Sequence, residues 1–397
     1  MPITVERAIA LALERTSPVP EEPAPLPRAL GRVLLRDIQA PMDQPPFDRS
    51  PLDGYAVWAQ DTAGASPDVP VELNVVETLF AGQTPQKALK PGQAVRLMTG
   101  SPLPEGASGV IRQEDTDLGE DRVQIFKGVR PGMNCCLRGE EYRAGDLLLP
   151  AGTKLDAAAL AVAAGAGITL LPVRRRVRAA VVSTGDELCR PGEPLSPGKI
   201  YDSNTAYLEA RLEQLGVEVT EVLSAGDDLA RIAAALERCA GCDVILTTGG
   251  VSVGQKDLLE AALKELGAEV VFHGIVMKPG MPTLLAQWRG ALILGLSGNP
   301  FSAAVPFEML LRPMLAKMTG DPSLEMRRGR GVAANDFVKS SPTRRFLRAR
   351  VCGERVSMPA AQANGQMRSM VGCNCLIDVP GGSGAVRRGE QVAFWLL

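Results

Sequence analysis

From residue 177 to about 318, short apolar runs alternate with longer amphipathic stretches. Runs at 177–182, 217–222, 244–246, 269–272 and 291–294 read as strands, and 229–239, 258–266 and 302–314 as helices. A further helix, capped by Asp202 or Ser203, runs to Gly216. Strands alternating with helices of this length predict a parallel α/β sheet. Upstream the rhythm changes. Residues 5–15 form an amphipathic helix, and proline-dense segments follow at 16–27 and 41–51. Between about 52 and 140, short runs at 71–76, 94–98, 109–111 and 123–126 are separated by Gly/Pro turns, which predicts a β-rich module. Asp156 caps an Ala-rich helix, and 168–173 reads as a strand. The last 75 or so residues return to short strands, clearest at 337–339, 346–352 and 392–396, and predict a small β domain.

In open α/β sheets, ligands bind beyond the carboxyl ends of the strands. Five polar, Gly-rich loops fall there: STGDEL (183–188), AGDD (225–228), TTGGVSVGQKD (247–257), MKPGMPT (277–283) and LSGNPFS (296–302). Any one of them is ordinary turn and cap chemistry. Together on one edge they predict a site. Gly249 and Gly250 permit close backbone approach, and free amides around Ser252–Gly254 suit a phosphate or other oxyanion. Asp257 caps the next helix or holds a cation against that anion. Asp186, Glu187, Asp227 and Asp228 are either a Mg²⁺-type carboxylate cluster or helix caps and solvated charge. Lys278 offers a point charge to a phosphate. In the β-rich module, Asp53, Thr99, Glu114 and Asp115 sit in motifs that, taken singly, read as turns.

Composition narrows the chemistry. The 397-residue chain predicts more than one domain. A net charge of −2 and 4% aromatic residues argue against a nucleic-acid partner. The N-terminus lacks the layout of a signal peptide, and the longest apolar stretch, 157–172, is too short for a membrane span. A cytoplasmic protein without a membrane partner is expected. The eight cysteines include one CxxC, Cys239 and Cys242, with no second pair to complete a zinc site, so they read as small hydrophobes. With His273 as the only histidine, a Ser-His-Asp triad or a His-rich metal site has little material. Carboxylates, lysine, arginine, hydroxyls and backbone amides must carry the chemistry, which favours hard, oxygen-bound Mg²⁺.

TTGGVSVGQKD, STGDEL, MKPGMP, SGNP, DGYAV and MTGSPLP, in this order and spacing, resemble the molybdopterin molybdenumtransferase family (MoeA and the E domain of gephyrin). The resemblance covers nearly the whole chain and is weakest in the last domain. It implies a multidomain elongated chain: a discontinuous first domain (1–43 and 141–171), an inserted β-rich domain (44–140), an α/β molybdopterin-binding domain (172–318) and a C-terminal β-barrel-like domain (319–397). It also implies a homodimer with a site shared between subunits. The expected reaction takes adenylylated molybdopterin and molybdate or tungstate, uses Mg²⁺, cleaves the adenylate and releases AMP. A transient contact with molybdopterin adenylyltransferase is implied as well.

Carried over by position, Asp53, Thr99, Glu187, Asp227 and Asp257 are the expected catalytic group, with Glu187, Asp227, Asp257 and Glu114 around the metal. Gly249, Gly250, Ser252, Gly254, Lys278, Ser297, Pro300, Arg138 and Ser369 are expected to hold substrate. The chain departs from the family pattern at Cys136 (arginine), Glu141 (aspartate), Ser297 (proline) and Gly274 (a basic residue); Arg138 is the expected substitute for the first. Two other readings stay open: an adenylyltransferase-like enzyme, because the α/β segment alone resembles one, and a non-catalytic dimeric scaffold.

Overall fold

The computed structural model describes residues 1–251 and 258–397. The chain divides into two compact units: residues 25–30 with 36–171, and residues 1–24 with 31–35 and 172–397.

The first unit is built on a five-stranded sheet with spatial order Gly109–Arg112, Gly54–Val57, Gln93–Leu97, Val71–Leu79, Arg122–Ile125. Apolar residues alternate to its two faces, with Tyr55, Val57 and Ile111 in one cluster and Ala56, Val95 and Val110 in another. The Ala-rich helix Ala157–Gly165 also belongs to this unit, and the Asp156 carboxylate caps it by accepting from the Ala159 amide at 2.8 Å.

The second unit carries the predicted α/β sheet. Its strands are β1 Arg178–Ser183, β2 Glu218–Ser224, β3 Val244–Thr248, β4 Glu269–His273, β5 Leu284–Trp288 and β6 Ala291–Leu296, in spatial order β2-β1-β3-β6-β5-β4. Strands β2, β1, β3 and β6 are parallel. Strand β5 runs antiparallel to both β6 and β4. The sequence reading lacked β5, because TLLAQW follows the MKPGMP turn with no break of its own.

Helices α1 Ser203–Gln214, α2 Leu229–Arg238, α3 Leu259–Glu265 and α4 Pro300–Pro306 cover the two faces. Val181, Leu246 and Leu294 pack with α1 and α4, while Val182, Ile245 and Ile293 pack with α2 and α3. Every residue of β3 and β6 is buried, as central parallel strands require.

The helix expected over 302–314 starts at Pro300 and is interrupted. A π-turn spans Phe307–Leu311, and the helix resumes over Arg312–Thr319. Pro306 supplies no amide to the ladder, and the chain accommodates the gap with the wider turn. The C-terminal segment closes a five-stranded barrel from Arg328–Ala333, Arg355–Ser357, Arg345–Cys352, Cys375–Val379 and Gln391–Leu396. The strand expected at 337–339 is instead a single bridge between Phe337 and Val386.

Candidate functional site at the carboxyl edge of the sheet

A cavity of about 1330 Å³ opens where the parallel strands end. Its walls take Glu187 from the loop after β1, Asp227 from the loop after β2, Thr248–Val251 after β3, Lys278 from the MKPG turn and Ser297 after β6. Phe301 and Ser302 of α4 also line it. The predicted edge therefore brings its five loops to one cavity.

Hydrogen bonds lock these loops to one another. The Thr184 amide donates to the Thr248 carbonyl at 2.9 Å, and the Gly249 amide to Leu296 at 3.0 Å. The Asp227 amide donates to an Asp186 oxygen at 3.1 Å, and the Asp186 amide returns a 3.5 Å bond to the Asp227 carboxylate. Asp228 is a helix cap, accepting from the Arg231 amide at 2.8 Å. Of the four acidic residues in these two loops, only Glu187 and Asp227 line the cavity. Gly249 has φ +91°, and a Cβ there would lie 2.5 Å from the Thr184 carbonyl oxygen. Glycine is thus needed for loop-to-loop packing, beyond the ligand approach expected of it.

Asn204 of α1 was not anticipated. Its Nδ2 donates to Thr248 Oγ1 at 2.9 Å and to the Gly298 carbonyl at 2.8 Å, which ties the TTGG and SGNP loops together. Its buried Oδ1 has no partner among the described residues, and the residue lines the cavity. The sequence signal was the triplet DSN, of which only the cap was read.

The C-terminal segment supplies the rest of the wall, through residues other than Ser369, the one expected from it. The Lys278 amide donates to Arg344 and the Phe346 amide donates to Lys278, at 2.9 and 2.8 Å, so the MKPG turn is bridged to a barrel strand. Arg345 and Lys339 line the cavity with Lys278, giving three cations beside two carboxylates. Loop 360–366 forms another part of the wall and is held by Arg348, which is fully buried. Its guanidinium stacks 3.8 Å from the Phe301 ring centroid and donates to the carbonyls of Ala363 (2.6 Å) and Gln366 (2.7 Å). Burial pulls that guanidinium below its usual value, and no carboxylate pairs with it among the described residues.

In the other unit, Asp53 Oδ1 accepts from both the amide and the hydroxyl of Thr99, each at 2.7 Å. Those two donors hold its carboxyl below the usual range. The Asp53 carbonyl accepts from the Gln113 amide at 3.1 Å, and Glu114 follows on a short 3₁₀ turn, 3.7 Å from Arg112. Asp53 and Thr99 are brought together by these bonds.

Arg138 does not stand free as a substitute for the arginine absent at Cys136. Its Nε donates to Asp43 and its amide to Asp48, while Cys136 exchanges backbone bonds with Arg49. Ser369 donates to the Gln366 carbonyl at 2.7 Å and is not among the residues lining the cavity, and neither is Pro300 at the first turn of α4. Ser252, Gly254 and Asp257 lie outside the described residues.

Among the described residues no group of three or more His, Cys, Asp or Glu forms a metal site. Glu187 and Asp227 nevertheless fit Mg²⁺, an ion that takes one or two carboxylates and completes its shell with water and substrate phosphate oxygens. No described helix is long and apolar enough to cross a membrane.

Three family profiles match in sequence order: the MoeA N-terminal region (domain I and II) over 3–167, a probable molybdopterin binding domain over 180–317, and the MoeA C-terminal region (domain IV) over 330–397. The chain is 37% identical to molybdopterin molybdenumtransferase 2 of Mycobacterium tuberculosis over 399 residues, covering 98% of each. It is 35% identical to the molybdopterin molybdenumtransferase of Staphylococcus aureus, covering 98% of this chain and 94% of that one. A solved molybdopterin biosynthesis MoeA protein of Pyrococcus horikoshii superimposes with TM-score 0.83 at 31% identity, covering 100% of this chain and 99% of that one. The five-loop cavity, the closed C-terminal barrel and full-length relatives agree: the chain belongs to the MoeA family of molybdopterin molybdenumtransferases, enzymes of molybdenum cofactor biosynthesis.

Proposed function

We propose that the cavity takes adenylylated molybdopterin together with molybdate, and that the enzyme cleaves the adenylate, releases AMP and passes the metal to the pterin dithiolene. One observation carries this reading: two carboxylates and three cations line one cavity whose described walls contain neither histidine nor cysteine. Such a site suits a substrate rich in phosphate oxygens and an oxyanion co-substrate, and it offers no imidazole base or thiolate nucleophile. Lys278, Lys339 and Arg345 neutralise phosphate and molybdate oxygens. Backbone amides at Gly250, Val251 and Gly298 orient them. Glu187 and Asp227 would hold Mg²⁺, whose chemistry when bound is to withdraw charge from the phosphoanhydride oxygens.

Asp53, kept ionised by Thr99, completes the catalytic group from a second copy of the chain, so the working form is a cytoplasmic homodimer. The family resemblance supports that assignment and the four-part domain division. The test supplies adenylylated molybdopterin, Mg²⁺ and molybdate and measures AMP and metal-loaded pterin. Molybdate-dependent AMP release is expected, with a loss of about 100-fold in Asp53→Ala. ATP-dependent adenylylation of molybdopterin would move the protein to the adenylyltransferases, and inertness in both assays would leave a dimeric scaffold.

A further inference from the structure

Lys278 reaches the cavity from a segment that belongs to neither β4 nor β5. Neighbours on both sides hold the backbone of that segment instead. On one side, the Ile3 amide donates to Gly274 at 3.0 Å and the Val276 amide donates to Ile3 at 2.7 Å, which makes a short parallel bridge. On the other, the Arg344 carbonyl accepts from the Lys278 amide, and the Phe346 amide donates back to Lys278. The position of Lys278 therefore depends on where residues 344–346 sit.

Arg344 and Arg345 are adjacent, yet their side chains part. Arg345 lines the cavity and Arg344 does not. The Arg344 guanidinium turns to the barrel, where Nε and Nη2 grip the two oxygens of Asp378 at 2.7 and 2.6 Å. Its Nη1 donates to Glu6 of the helix Val5–Arg15, which begins two residues after Ile3. One side chain thus joins both flanks of the segment that carries Lys278. The two partners differ in weight. The Asp378 side chain is 5% exposed, so the forked pair is sheltered from water and directional. The Glu6 side chain is 71% exposed, so that pair adds little.

We propose that Arg344 is a positioning residue for the molybdenumtransferase reaction: gripped by Asp378, it fixes the backbone from which Lys278 hangs and so sets where that ammonium meets the phosphate oxygens of the substrate. This rests on the cavity reading given above. Neither Arg344 nor Asp378 lines the cavity, so both act through Lys278.

The double variant Arg344→Met with Asp378→Leu removes the grip without stranding a charge in the barrel, because Arg328, the other cation near Asp378, is well exposed. In the full-length double variant, exchange of the Lys278 and Phe346 amides should accelerate roughly tenfold or more, while amides of the barrel strand Gln391–Leu396 keep their protection. Unchanged exchange at Lys278 and Phe346 would overturn the proposal, and so would equal acceleration throughout the barrel. In the AMP-release assay the double variant should lower kcat/KM for adenylylated molybdopterin about tenfold. Made in Lys278→Ala protein, the same two changes should lower it by no more than about twofold, because the group they position is gone. A tenfold loss that persists without Lys278 would overturn the positioning role. A wild type that releases no AMP would instead strike the cavity reading, and exchange in the double variant would then decide alone whether Arg344 holds the turn.

Discussion

At Asp53 a single hydroxyl and a single amide decide the state of a carboxylate. Thr99 donates twice to the same oxygen, and the carboxyl is held below the usual range. A lowered folded-state value means that the charged form persists to more acidic pH, and its contribution is lost only as pH falls through that lowered value. Thr99→Ala is expected to shift the acidic limb of the AMP-release profile upward in pH and to cut the rate about tenfold; an unshifted limb would separate Asp53 from the reaction. Gly249 gives a structural counterpart. With φ +91° and a neighbouring carbonyl 2.5 Å from where Cβ would sit, Gly249→Ala should cost roughly 1–3 kcal/mol and distort the loop. Urea unfolding measures it. Residues of this kind were partly legible in the sequence: carboxylates and glycines in Gly-rich loops announce themselves. Asn204, Lys339 and Arg345 did not, because their roles depend on which loops meet in space. The ion pair of Arg138 with Asp43 was not legible either, because that partner lies far away in sequence.

The elements explain why these side chains meet. Four parallel strands end at one edge, and their loops are the shortest route to the helices that bury the sheet. That pattern was readable from strand and helix periodicity. The edge strand β5 and the π-turn were not, since neither changes the apolar pattern. In the barrel, Asp378 is nearly buried. Burial pushes its carboxyl up, but a two-pronged Arg344 bond at 2.7 and 2.6 Å and the Trp395 indole outweigh it, so the net value falls below the usual range. Its contribution is present above the unfolded-state value and disappears as pH drops through the lower folded one. Asp378→Asn should cost about 3 kcal/mol at neutral pH, and less as pH falls, because it strands Arg344 without its buried partner. An equal cost at low and neutral pH would contradict this. Arg348 acts on the same scale: Arg348→Met should leave the barrel folded but accelerate amide exchange across 360–366, since three acceptors lose their donor.

For the whole molecule, three matched regions span the N-terminal, molybdopterin-binding and C-terminal parts. The proposed shared-site homodimer makes a quantitative claim. Mixing Asp53→Ala with Glu187→Gln subunits should restore about a quarter of wild-type activity, because half the random dimers carry one intact site; no recovery would place both residues in the same copy's site. The central claim is that the cavity at the carboxyl edge receives the adenylylated pterin. Crystals soaked with adenylylated molybdopterin test it most directly. Density for the phosphates beside Lys278, Glu187 and Asp227 is the expected result, and ligand bound elsewhere with this cavity empty would contradict the account.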